Sequence, residues 1–160
     1  MENCLQGKIQ GYIDQLESLS LDNVEQLHDY VAEDIVFSDP FNKVSGAKNY
    51  IGLLIEMFDK LDNVKFIVYE SLYQEKVQLK DSKEGNPESN NVAYLYWNFS
   101  ASSRSTGKLN FDGSSRLVFN QDGKIGSHQD FWDGLVTLNK IPLLGAILRW
   151  FKNRISYQKN

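Results

Sequence analysis

Cysteine is nearly absent from this chain. Cys4 is the single one among 160 residues, which excludes an internal disulfide. No apolar run reaches the ~18 residues that a membrane-spanning helix requires. Histidine is also scarce, and one histidine with two aspartates is too small a set for a metal site unless His28 joins it; His28 falls on the polar side of its segment, as a solvated residue does. No glycine-rich phosphate loop occurs, and no block of one charge sign does either. The net charge of -4 is interspersed, which argues against nucleic acid as a partner. The opening M-E-N-C-L-Q-G-K lacks the apolar centre of a secretion signal, so the expected setting is reduced and cytoplasmic. Asn98-Phe99-Ser100 matches a glycosylation acceptor but falls inside a predicted strand, and it is read as chance.

The hydrophobic content is 41%, enough for one domain spanning 1–160 with a buried core. The stretch that most invites a functional reading is Gly123 to Asp133, G-K-I-G-S-H-Q-D-F-W-D. An Asp-Gly turn at 122–123 leads into a strand whose alternation puts His128, Asp130 and Trp132 on one face. Ile125, Ser127 and Phe131 fall on the other. A histidine, a carboxylate and a large aromatic on one sheet face suit the wall of a polar-bottomed pocket.

Before that stretch, Leu5, Ile9, Tyr12, Ile13, Leu16 and Leu19 recur at helical spacing and predict a first helix. Asp22 and Glu25 are spaced as a capping box and predict a short second helix through Val24, Leu27 and Val31. The β-branched run Ile35-Val36-Phe37 reads as a strand stopped at Ser38-Asp39-Pro40, because proline ends a regular ladder. Ser45 is placed to cap a third helix carrying Ile51, Leu54, Ile55, Phe58 and Leu61. Residues 64–80 read as one long strand whose apolar set changes phase, from Phe66 and Val68 to Tyr73, Val77 and Leu79, as a bulge produces. The polar run 80–91 is a connection. Two further alternating strands follow, one with Ala93, Leu95, Trp97, Phe99 and Ala101 and one with Leu109 to Phe119. Beyond Pro142, an apolar stripe from Leu143 to Ile155 with Arg149, Lys152 and Arg154 beside it predicts a C-terminal helix. It closes the open side of the sheet, binds a partner, or lies on a membrane surface, with the first preferred.

That order of elements resembles the cone-shaped α+β fold of the nuclear-transport-factor-2-like superfamily, which includes the SnoaL-like polyketide cyclases, ketosteroid isomerases and scytalone dehydratase. The resemblance rests on V-F-S-D-P at 36–40, on Gly46, and on F-x-x-x-G-K-I-x-x-H-x-D-x-W from Phe119 to Trp132, and it covers 8–133. It implies a curved antiparallel sheet packed with N-terminal helices around a pocket, with 134–160 as an extra helical extension, and a homodimer paired through the outer sheet face. It places Asp39 where ketosteroid isomerase carries its general base and, with a three-residue insertion, Tyr12 where that enzyme has its oxyanion tyrosine. Ser115 takes the place of the isomerase's protonated oxyanion aspartate, and a serine does not supply that acid's strong hydrogen bond. SnoaL-like cyclases carry an acid/base aspartate and a histidine in this part of the cavity, which His128 and Asp130 match.

These residues give two expectations. If Asp39, His128 and Asp130 share one apolar cavity, they form a general acid/base set for isomerisation, cyclisation or dehydration of a small apolar carbonyl compound. Tyr12 or Ser115 then polarises the oxygen, Trp97, Phe99 and Trp132 form the walls, and no cofactor, metal or covalent nucleophile is needed. The plainer alternative has Asp39 as a turn carboxylate, His128 and Asp130 as a satisfied buried pair, and the aromatics as core. The protein is then a non-catalytic dimeric ligand-binding or interaction module.

Overall fold

The computed structural model describes residues 2–78, 89–104 and 107–134. Helix α1 (Glu2–Glu17) is followed by a short 3-10 helix (Val24–Asp29), strands β1 (Val31–Ser38) and β2 (Lys43–Ser45), and helix α2 (Ala47–Lys60). Strands β3 (Asp62–Gln78), β4 (Ser89–Ser103), β5 (Gly107–Phe119) and β6 (Ile125–Trp132) complete the described part. The predicted helix from Leu143 to Ile155 lies outside the described residues, as do residues 79–88, while 89–91 of the expected polar connection instead open β4. Among the described residues, no helix is long and apolar enough to cross a membrane.

One curled, unclosed sheet carries all six strands in the order β2-β1-β6-β5-β4-β3. The expectation of a purely antiparallel sheet is corrected here, because β1 and β6 run parallel. A parallel neighbour needs a long crossover, and everything from β2 to β5 supplies it. The other pairings are antiparallel. The phase change expected in the long strand is present: β3 has register shifts between Val68 and Glu70 and again between Gln74 and Val77. The side chain of Glu17, at the end of α1, accepts a 2.7 Å hydrogen bond from the Val68 amide at the first of these bulges.

A further bulge, in β6, reassigns one residue. Val118 pairs with Ser127 and Phe119 with Ile125, so Gly126 is the extra residue of β6. Ile125 therefore joins the inner face with His128 instead of lying opposite it, and it is completely buried. Two predicted caps are also absent. Asn23, not Asp22, precedes the 3-10 helix and makes no side-chain cap bond. Gly46 precedes α2, while Ser45 ends β2. Gly46 sits at φ +90°, a conformation that side chains resist, and its amide donates to the Ile35 carbonyl at 2.7 Å.

The core lies between the concave face of the sheet and the apolar faces of α1 and α2. Leu5, Ile9, Tyr12, Ile13 and Leu16 face in from α1, and Tyr50, Ile51 and Leu54 from α2. Leu95, Leu117 and Ile125 meet them from the sheet, each adding about 1.5–3 kcal/mol by burial. Two of these helical positions are tyrosines. Their hydroxyls need partners inside the core.

Candidate active site

Those partners lie on the sheet. Tyr12 is fully buried, and its hydroxyl lies 3.0 Å from the Tyr50 hydroxyl and 2.9 Å from His128 Nδ1. Tyr50 reaches the same nitrogen at 3.4 Å. On its other side His128 Nε2 is 2.8 Å from Asp130 Oδ1. The two residues stand two apart on β6, so the pleat points both inward. From β4, Trp97 Nε1 donates to Ser115 Oγ at 2.7 Å, and Ser115 in turn donates to Asp130 Oδ1 at 2.5 Å. Two chains of donors thus end on one carboxylate oxygen.

The direction of the protons follows from burial. Desolvation pushes the Tyr12 phenol well above its ordinary value, the neighbouring Tyr50 adds to this, and Asp130 adds further. Tyr50 is raised as well, mainly by desolvation, against the lowering effect of its hydrogen bond to Tyr12. Both remain phenols and must donate. Tyr50 donating to Tyr12 and Tyr12 donating to Nδ1 satisfies all three atoms, which leaves the proton of a neutral imidazole on Nε2, aimed at Asp130. Phe37 closes the remaining side of the ring edge-on, with centroids 5.1 Å apart.

Two cavities meet at this network. An open cleft of about 910 Å³ is walled by Phe37, Phe66, Trp97, Phe99, Phe111 and Trp132, and it has Asp130 in its lining. This is within the size range of small-molecule sites. A chamber of about 40 Å³ lies against Tyr50, Ser115, His128 and Asp130. Asp130 and Trp97 belong to both. The Asp130 side chain keeps 16% of its surface exposed, against 4% for His128, so the carboxylate is the member of the pair that faces the cleft.

The residues singled out from sequence separate into three groups. His128, Asp130, Tyr12, Ser115 and Trp97 form the one network, although Tyr12 lines neither cavity. Phe99 and Trp132 stand on the cleft wall, where Trp132 stacks on Phe111 at 4.7 Å. Asp39 also borders the cleft, but its Oδ1 accepts the amides of Phe41 at 2.7 Å and Asn42 at 2.6 Å, and the Asn42 side chain reaches both oxygens. That is an Asx turn at the end of β1. Tyr50 was not among the sequence candidates, although a tyrosine within the apolar stripe of α2 is a signal for a buried hydroxyl. Gly113 was another omission. A Cβ there would lie 2.4 Å from the Trp97 ring, so the indole rests on bare backbone. Among the described residues, no group of three or more His, Cys, Asp or Glu is arranged to hold a metal.

No family model and no curated protein matches the chain. Solved structures do. It is similar to an NTF2-like protein of unknown function from Exiguobacterium sp. 255-15, with 16% identity and a TM-score of 0.60 over 79% of this chain and 98% of that one. A protein from Jannaschia sp. CCS1 described as a SnoaL-like polyketide cyclase superposes with a TM-score of 0.64 at 10% identity, over 87% of this chain and 92% of the other. An LEH-like epoxide hydrolase from M. tuberculosis gives 0.58 at 11% identity, over 93% and 96%.

Proposed function

We propose that this chain, which has the nuclear-transport-factor-2-like fold, is a cofactor-independent acid/base enzyme that takes a proton from a small molecule held in the cleft. One observation carries the reading: Asp130 Oδ1 receives hydrogen bonds from His128 and Ser115, while the same carboxylate borders an apolar cleft of about 910 Å³. Oδ1 is fixed by its two donors, and among the described residues Oδ2 accepts none. Oδ2 is then the base: it takes the proton and becomes a neutral acid, the electron pair of the broken bond stays on the substrate, and the His128 N–H and Ser115 O–H keep Oδ1 in place. Asp39 is a second carboxylate on the wall, tied to its turn. Isomerisation, cyclisation and dehydration are the reaction classes that such a unit serves, and the SnoaL-like neighbour from Jannaschia is described as a polyketide cyclase.

The test needs no native substrate. 5-Nitrobenzisoxazole opens when a base removes the C3 proton of its isoxazole ring and the N–O bond breaks, and the native chain should accelerate this. Asp130→Asn should lower that rate about a hundredfold or more. Equal rates for native protein and variant would remove Asp130 as the base.

A second reading, binding without turnover, has its own support. Tyr12 and Ser115 were expected to polarise a substrate oxygen, yet Tyr12 donates to His128 and Ser115 to Asp130. In either case we infer a homodimer. On the outer sheet face Leu72 pairs across with Tyr94, Glu70 with Tyr96 and Ser114 with Phe131, and Leu72, Tyr94, Tyr96 and Phe131 are all exposed. Such a patch suits a partner surface.

A further inference from the structure

We propose that the cleft selects a ligand presenting a hydrogen-bond donor to Asp130, and that its preferred occupant is a small aryl- or alkyl-ammonium cation. This rests on the cleft being the ligand site, and not on whether turnover occurs there. The first ground is the inventory of protons on the floor. Tyr50 gives its hydroxyl proton to Tyr12, Tyr12 to His128 Nδ1, His128 Nε2 to Asp130, Trp97 to Ser115, and Ser115 to Asp130. Every donor of this network is engaged, while one acceptor, Asp130 Oδ2, receives no hydrogen bond among the described residues. A ligand carbonyl set against this floor finds lone pairs facing lone pairs. A ligand N–H finds an acceptor.

The second ground is the wall. Phe66 and Phe99 lie 4.9 Å apart, Phe99 and Phe111 5.2 Å, Phe111 and Trp132 4.7 Å, and Trp132 and Phe41 5.1 Å. These rings form one continuous band along the cleft. The electron-rich faces of such rings attract a cation, more strongly once water is displaced. The third ground is charge. Among the described residues, Asp39, Glu56, Asp59, Asp62 and Asp130 line the cleft against Lys60 and Arg104, and Lys60 is itself paired with Glu56 at 3.0 Å. An acidic excess around an apolar hollow concentrates cations at its mouth.

Three probes of nearly one shape decide the matter by calorimetric titration of the full chain: protonated N,N-dimethylbenzylamine, benzyltrimethylammonium, and neutral isobutylbenzene. The expected order is dimethylbenzylammonium first, with roughly tenfold or greater preference over isobutylbenzene, and benzyltrimethylammonium between them because it carries charge but no N–H. Asp130→Asn should bring the first probe close to the second. Isobutylbenzene binding as well as either cation would overturn the cation preference and leave the cleft assignment standing. A preference untouched by Asp130→Asn would overturn the role of the floor. Should none of the three bind, the cleft is not a ligand site, and the proposed function falls with it. The native comparison is decisive by itself if the variant does not fold.

Discussion

Tyr12 and Tyr50 reach the core from two different helices and meet hydroxyl to hydroxyl at 3.0 Å, above a histidine that has no other neighbour at Nδ1 among the described residues. Burial raises both phenols from the ordinary value of 10.0, so the folded chain keeps two protons that the unfolded chain releases near pH 10. Stability is therefore intact below that pH and falls as pH rises through it, by about 1.4 kcal/mol per pH unit for each tyrosine. Urea melts on the alkaline side should show this slope, and the Tyr12→Phe/Tyr50→Phe double variant should lose it while being less stable at neutral pH. A slope of equal steepness in the double variant would place the titrating groups elsewhere. Both tyrosines sit in apolar helical stripes, so their burial was readable from spacing. What the spacing could not give was the partner, because the meeting of α1, α2 and β6 depends on how the sheet curls. Asp39 shows the same limit: D-P at a strand end fits a base or a turn, and only the amides of Phe41 and Asn42 decide where its oxygens point.

At the scale of elements, β4 and β5 were readable because a period of two survives along most of their length. β6 was read one step out of phase at its start, since the bulge at Gly126 belongs to the pairing with β5 and leaves no mark in hydropathy. The three-residue β2 is too short for any periodic signal. Within β5, Gly113 pairs with Trp97 and gives the indole a flat seat, from which Nε1 reaches Ser115. Gly113→Ala should cost about 1–3 kcal/mol through overpacking against the ring. In a Trp97→Phe background the same change should cost much less. Thermal melts of the four proteins in this cycle measure the coupling, and equal costs in both backgrounds would show that Gly113 serves something other than Trp97.

For the whole molecule, the two faces of one sheet divide the work. The concave side is closed over by α1 and α2, apart from the cleft and its floor, while the convex side carries Tyr69, Tyr94 and Tyr96 in the open. Tyr69 and Tyr96 lie 5.8 Å apart, and the Asp112 carboxylate raises the Tyr96 phenol. Tyr94→Asp/Tyr96→Asp should turn a dimer into a monomer in sedimentation velocity, with secondary structure unchanged by circular dichroism. If the native chain already sediments as a monomer, the aromatic patch serves another purpose. The broad architecture was readable because helices and strands follow in an order that few folds share. The parallel seam was not, since strand order is a long-range property.

That seam has a consequence in time. β6 is the strand between β1 and β5, so without it the ladder of the sheet is broken into a β1–β2 pair and a β3–β4–β5 meander. The same strand brings His128 and Asp130. A copy caught half-assembled therefore lacks the proton-handling pair together with the join, and a mature pocket reports a finished molecule.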